Sequence, residues 1–237
     1  MKLYSVILYI SLISSIAPIF FYFRQFKQLP RPNHFVGAFA LTLFVLDVTA
    51  LILMKLGNHT IIINNLFNLC SFILVSLFYF YLYMDKKFKG LFALGSVIYG
   101  IAVVYSIYTI GFITPHTSLW AINGAIVGIY GILYFIMLPN NMVVERLLDK
   151  NLYSFVITNG SFVFYFLLTT LFFLLANFFF TKADADTNLL FWSFHNIANT
   201  LKNIGLAIGL YYTGRRDVKT TLLEIEKIGR ERRKPGV

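Results

Sequence analysis

The chain has few charged residues and a single cysteine. Charged residues are 13% of its 237 residues, whereas an ordinary soluble domain has roughly 25%, and the mean hydropathy is +0.73. A water-soluble fold of this length could not cover so much apolar surface. Because Cys70 has no second cysteine in the sequence, the chain cannot form an intrachain disulfide, a cysteine-based zinc site or a redox pair.

Long apolar runs dominate what is present. Crossing about 30 Å of hydrocarbon takes about 20 helical residues, and seven segments meet that length. These spans run approximately from 4 to 23, 35 to 56, 61 to 84, 90 to 112, 117 to 138, 153 to 180 and 189 to 213. The sequence therefore predicts an all-α membrane protein with a seven-helix transmembrane domain over residues 1–213 and a tail over residues 214–237.

The distribution of Lys and Arg predicts the orientation of this bundle, because cytoplasmic loops carry an excess of these residues. The loops after spans one, three and five hold three, three and two of them, and the tail holds eight. The opposite face has only Lys2, Lys55 and Lys182. We therefore expect the N-terminus outside and the C-terminus in the cytoplasm.

The basic tail predicts an amphipathic helix rather than a nucleic-acid site. Val218, Leu222 and Ile225 share one helical face, and basic residues surround them. Such a helix lies on a membrane surface and is attracted to anionic lipid headgroups. We expect it to contact the inner leaflet, and a membrane or cytoplasmic signalling partner is the alternative.

Enzyme and metal signatures are missing from the sequence. It has no HExxH, G-x-S-x-G or P-loop motif and no histidine cluster at metal-ligand spacing. The one carboxylate deep within a predicted span, Asp47, has no second carboxylate at its level to act with in catalysis. We expect no enzymatic activity, no metal and no cofactor.

Two charged residues lie near the centres of predicted spans. Asp47 is in span two and Lys202 is in span seven, at similar depth under the predicted topology. A charged side chain at bilayer depth costs at least about 2.5 kcal/mol on insertion scales, so each one is a candidate functional residue. We predict an ion pair between them, which serves either as a ligand site or switch or as a structural brace.

Span seven, FWSFHNIANTLKNIGLAIGLYY, is the most polar span, and its polar residues recur at helical spacing. Together with asparagines in span three, this face predicts a central polar cavity open toward the outside. The alternative for the asparagines is interhelical hydrogen bonding without a ligand. The candidate ligand-binding or switch residues are Asp47, Lys202, His195, Asn199, Asn203, Asn64 and Asn68.

Small residues and one proline predict details of helix packing. Gly124-x-x-x-Gly128 in span five and Gly205-x-x-x-Gly209 in span seven favour close helix approach. This approach serves internal packing or joins two copies of the chain in a homo-oligomer. Pro18 predicts a kink in span one.

Seven spans, a cytoplasmic tail and a lysine midway along the last span resemble the microbial rhodopsins. The resemblance implies retinal bound to Lys202 as a Schiff base. The family has an aspartate four residues before that lysine, where this chain has Ala198, and its third-helix counterion motif is absent. Retinal binding on Lys202 is therefore an alternative to the expectation of no cofactor, and it rests on topology and one residue.

The span-seven segment, with Trp192, His195, Asn199 and Asn203 as its most recognisable residues, resembles a set of small, uncharacterised seven-span bacterial proteins. Their genes often lie beside those of two-component signalling proteins. The resemblance covers most of the chain and implies a sensory or accessory role in a bacterial cytoplasmic membrane. It implies no particular ligand.

The resulting prediction is a receptor-like or sensory membrane protein with a polar site within the bundle, built on spans two, three and seven. A small-molecule or ion transporter that uses the same polar core is one alternative. A structural subunit of a membrane complex is another, and a retinal-binding protein is a third.

Overall fold

The computed structural model describes residues 2–83, 86–112, 114, 116–137, 151–182 and 185–213. Their regular structure is eight α-helices and a short 3-10 turn at Phe26–Gln28. The helices are α1 (Lys2–Ser14), α2 (Ile16–Gln25), α3 (Arg31–Lys55), α4 (Ile61–Leu82), α5 (Lys86–Ile110), α6 (Thr117–Met137), α7 (Leu152–Lys182) and α8 (Ala185–Tyr211). The pair α1 and α2 forms the first predicted span, and α3 to α8 correspond to the other six. The predicted amphipathic tail lies outside the described residues.

Six segments are long and apolar enough to cross a membrane by length and composition. They are Tyr4–Gln28, Arg31–Lys55, Ile61–Leu82, Lys89–Ile110, Thr117–Met137 and Leu152–Leu175. This confirms an all-helical chain with the composition of an integral membrane protein. At 27 residues α8 is also long enough to span a membrane. Its asparagines, histidine and lysine, however, make it more polar than the six segments above. The predicted count of seven spans therefore depends on whether α8 crosses the membrane.

The first span is interrupted near its middle, as the proline predicts. α1 ends at Ser14 and α2 begins at Ile16. Pro18 has no backbone N–H to donate to the carbonyl of Ser14, four residues earlier, so the hydrogen-bond ladder breaks at this point. Both helices pack against α8.

Close helix approach occurs where the glycine pairs predict it. A Cβ atom at Gly124 would lie 2.6 Å from the backbone oxygen of Phe166, so α6 and α7 touch through their backbones there. On α8, a Cβ atom at Gly209 would lie 3.2 Å from the backbone oxygen of Ser154 in α7. The described helices use both pairs for packing within the bundle.

The bundle has an aromatic core in one half. Its largest fully buried side chains are mainly aromatic, and they include Phe39, Phe78, Phe162 and Tyr165. The ring centroids of Phe39 and Phe78 lie 5.2 Å and 5.4 Å from that of Phe162, at separations typical of favourable aromatic pairs. These residues lie in the half away from the N-terminus of α1. We call the other end, where α1, α4, α6 and α8 begin, the open end.

Candidate functional site

A cavity of about 620 Å³ enters the bundle at the open end. Its walls come from α1, α3, α4, the start of α6, α7 and α8, and most of the lining is apolar or aromatic. The polar residues in the wall include Asp47, Asn64, His116, His195, Asn196 and Asn199. A concave, mainly apolar space of this size with a few convergent polar groups is the usual form of a small-molecule site.

Among the described residues that line the cavity, Asp47 is the one that carries a charge. It lies on α3, two turns before the end of the helix at Lys55, and its side chain is half-buried. Within the described part of the chain, no side chain or backbone N–H donates a hydrogen bond to its carboxylate. The wall therefore presents a carboxylate whose acceptor positions are open to whatever fills the cavity.

The polar face of α8 supplies another part of the wall. His195, Asn196 and Asn199 lie along it at helical spacing, as the sequence predicts. The His195 ring is surrounded by aromatic rings: its centroid is 5.4 Å from that of Phe172 and 5.8 Å from those of Tyr165 and Trp192. This packing holds the imidazole in place at the cavity surface.

Lys202 lies one turn below the cavity floor and is 2% exposed. Its Nζ donates to Oδ1 of Asn199 at 2.5 Å and lies 4.4 Å and 4.9 Å from the ring centroids of Tyr165 and Phe39. Both distances are within the range of a cation–π interaction. The ammonium group therefore has three partners in the floor.

The predicted pairing of Asp47 with Lys202 has an indirect form in the structure. The two charges are close enough to act on each other electrostatically. Within the described ranges, however, the ammonium group of Lys202 bonds to Asn199 and makes no direct ion pair with the carboxylate. The two residues thus belong to one polar layer, with Asp47 in the cavity wall and Lys202 beneath the floor.

A row of hydrogen bonds joins α8 to α1, and the sequence analysis did not anticipate it. Asn199 Nδ2 donates to Ser11 Oγ at 2.9 Å, and Asn203 Nδ2 donates to the hydroxyls of Ser14 and Ser15 at 3.0 Å and 3.2 Å. The spacing of the three serines, which places them on one face of the first span, is the signal that could have indicated this contact. Through Asn199, the row continues to Lys202.

Other asparagines hold helices together away from the cavity. Asn123 Nδ2 on α6 donates to Asn68 Oδ1 at 2.6 Å and to Ser71 Oγ at 2.9 Å on α4. Tyr79 donates to Asn159 Oδ1 at 2.8 Å, which links α4 to α7. These contacts have the form of interhelical hydrogen bonding, and Asn68 lies in this group rather than in the cavity wall.

His116 is a wall residue that the sequence analysis did not single out. It is 3% exposed, and neither Nδ1 nor Nε2 has a hydrogen-bond partner. The segment before it is held by Asn65, whose Nδ2 donates to the backbone oxygens of Phe112 and Thr114 at 2.7 Å and 3.0 Å. Its position in a short connection between two apolar spans is the only sequence signal for it.

The structure thus divides the candidate residues among three places. Asp47, Asn64, His195 and Asn199 line the cavity, Lys202 and Asn203 lie in the polar layer beneath, and Asn68 lies between α4 and α6. In the ranges that the structure describes, no three His, Cys, Asp or Glu side chains are grouped so that they could hold a metal ion.

Comparison with known protein families, with curated proteins and with solved structures finds no match to this chain. The geometry of its own residues is therefore what supports a functional proposal.

Proposed function

We propose that this chain is a receptor-like membrane protein that binds a small organic molecule in the cavity at the open end of the bundle. The observation that supports this proposal is the shape of the cavity, which enters from one end and stops at the polar layer that contains Lys202. Below that layer the centre of the bundle holds buried aromatic side chains, including Phe39 and Tyr165. A ligand can enter such a site from one side of the membrane and bind.

The topology is part of the proposal. With α8 as a seventh span and the cation distribution of the loops, the open end faces outward and the tail lies in the cytoplasm. The resemblance to small seven-span bacterial proteins favours the cytoplasmic membrane of a bacterium. A cytoplasmic tail is then available to a signalling partner.

Occupancy of the cavity can be coupled to helix packing through the polar layer. Asp47 interacts with the charge of Lys202, Lys202 bonds to Asn199, and Asn199 bonds to Ser11 of α1. A ligand that changes the charge balance at Asp47 therefore changes the interactions that hold α1 against α8. If α1 and α8 can pack in two ways, a ligand shifts the equilibrium between these packings only by the difference between its affinities for the two.

Transport through the same core is the alternative function, because polar residues lie directly beneath the cavity, toward the middle of the bundle. The two functions differ in a measurable way. In proteoliposomes, a receptor shows saturable ligand binding without accumulation of the ligand inside the vesicle. Uptake that requires the protein and disappears in Asp47→Asn would overturn the receptor proposal in favour of transport.

A further inference from the structure

The cavity wall combines one carboxylate with a set of aromatic side chains, and this combination selects a class of ligand. We define the aromatic wall as Phe67, Trp120, Phe173 and Trp192, all of which line the cavity. Neighbouring rings are in contact along it: the centroid separations are 5.3 Å for Phe67 and Trp120, 5.1 Å for Trp120 and Phe173, and 6.4 Å for Phe173 and Trp192. They form a continuous surface.

We propose that the ligand is a small organic cation, an amine or ammonium compound with an apolar body, whose charged nitrogen binds Asp47 while its body lies against the aromatic wall. This inference rests on the proposed function, since it names the ligand class of the same cavity. Three features of the cavity support this ligand class: the charge of its wall, the chemistry of its aromatic surface and the unsatisfied acceptor at Asp47.

The charge of the wall disfavours an anionic ligand. Among the described residues that line the cavity there is no Lys or Arg, and Asp47 is the one charged side chain. Lys202 lies beneath the floor and is bonded to Asn199. An anion in the cavity would be repelled by the carboxylate and would find no Lys or Arg among the described lining residues to bind.

The aromatic wall favours a cation over a neutral molecule. The faces of Trp, Tyr and Phe carry negative electrostatic potential, and Trp attracts cations most strongly. Both tryptophans of the chain are in this wall. An apolar body also gains from contact with these rings, so the surface suits a cationic head and an apolar body together.

The unsatisfied acceptor explains why a purely apolar ligand would bind poorly. Such a ligand would displace water from Asp47 without offering a donor, and a desolvated carboxylate without a partner is costly. An ammonium N–H group supplies the donor and the countercharge at once. His116, whose two ring nitrogens lack partners at the same cavity, offers a further hydrogen bond to a polar group on the ligand.

The test compares matched probes that differ in charge. The purified full chain in lipid nanodiscs is titrated at neutral pH with 2-phenylethylamine, 2-phenylethanol and 3-phenylpropionate, and with the hexyl series hexylamine, hexanol and hexanoate. Because both tryptophans line the cavity, tryptophan emission reports occupancy, and a thermal shift gives an independent measure. In both series we expect the amine to bind at least about tenfold more tightly than the alcohol, as a charge-assisted hydrogen bond implies.

Variants of the chain complete the test. Asp47→Asn keeps the size of the side chain, and we expect it to reduce the preference for the amine to less than threefold. Trp192→Phe should weaken amine binding, while Thr49→Val, whose hydroxyl bonds to its own helix at Val45, should leave it unchanged. Thr49→Val therefore serves as the matched control on α3.

The outcomes separate the ligand class from the function. Binding of an alcohol or a carboxylate as tight as that of the corresponding amine overturns the cation proposal and leaves the receptor proposal standing. An amine preference that persists in correctly folded Asp47→Asn also overturns it, because the carboxylate would then not be the binding group. No response to any probe overturns both proposals.

Discussion

Replacement of Lys202 with methionine tests the polar layer most directly. Methionine keeps most of the apolar stem but removes the ammonium group. The loss of the donor removes the hydrogen bond to Oδ1 of Asn199, which costs about 1–3 kcal/mol for an unsatisfied buried group. The contacts to Tyr165 and Phe39 are lost as well, at about 0.5–1 kcal/mol each.

Two further effects act in opposite directions. Asp47 loses its countercharge, and removal of one partner from a buried ionic interaction costs about 3–5 kcal/mol, but less here because Asp47 lines the cavity and is only partly buried. The variant also no longer buries an ammonium group, which offsets part of the loss. We expect Lys202→Met to lower the free energy of unfolding by about 3 kcal/mol, within the range for disruption of a buried network.

The double variant Asp47→Asn with Lys202→Met isolates the interaction between the two charges. Because asparagine leaves no stranded carboxylate, we expect the double variant to be more stable than Lys202→Met alone, with a coupling free energy of about 1–2 kcal/mol. The measurement is equilibrium unfolding in mixed micelles for the four members of the cycle, with tryptophan emission and circular dichroism as probes.

Two results would refute this reasoning. If the losses of the single variants add in the double variant, Asp47 and Lys202 do not interact. If Lys202→Met is as stable as the parent chain, the hydrogen bond and the ring contacts do not compensate for burial of the ammonium group. Thr49→Val on α3 controls for general effects of substitution in that helix.

Three other predictions concern packing and topology. Gly124→Ala should destabilise the bundle by about 1–3 kcal/mol, because its new methyl would meet a backbone oxygen of α7, whereas Gly100→Ala, with nothing within 4 Å, should be neutral; equal effects in thermal unfolding would contradict the close approach. Tyr79→Phe should cost about 1–2 kcal/mol by leaving Asn159 Oδ1 without its donor, and an unchanged unfolding midpoint would show that this bond contributes nothing. With the native cysteine replaced by serine, Asn58→Cys should react with a membrane-impermeant maleimide in intact cells, while a cysteine in the tail should react only after permeabilisation; the reverse pattern would invert the proposed orientation.

The apolar runs predicted the helices closely, because hydrophobic length is a local property of the chain. α3 and α6 agree with their predicted spans to within a few residues at each end. The polar face of the last span was also readable, since helical periodicity places His195 and Asn199 on one side of α8. Pro18 likewise predicted a break, because its missing N–H acts on its own helix.

The roles of individual polar residues were not readable in the same way. Asn64 and Asn68 are one turn apart on α4 and have the same side-chain chemistry, yet Asn64 lines the cavity and Asn68 bonds to Asn123 on α6. Their difference depends on where α6 comes close to α4. Ser11 of α1 bonds to Asn199 across 188 positions of sequence, and no local pattern contains that information.

By itself, the amino-acid sequence determined that the chain is helical and membrane-like, where its helices begin and end, and which faces of them are polar. Only the tertiary structure decided the depth at which the polar faces meet: Asp47 in a cavity wall, Lys202 below its floor and His116 unpaired beside it. The physical reason is that helix length and periodicity follow from neighbouring residues. Cavities and interhelical hydrogen bonds instead follow from the relative positions of helices, which many distant contacts set together.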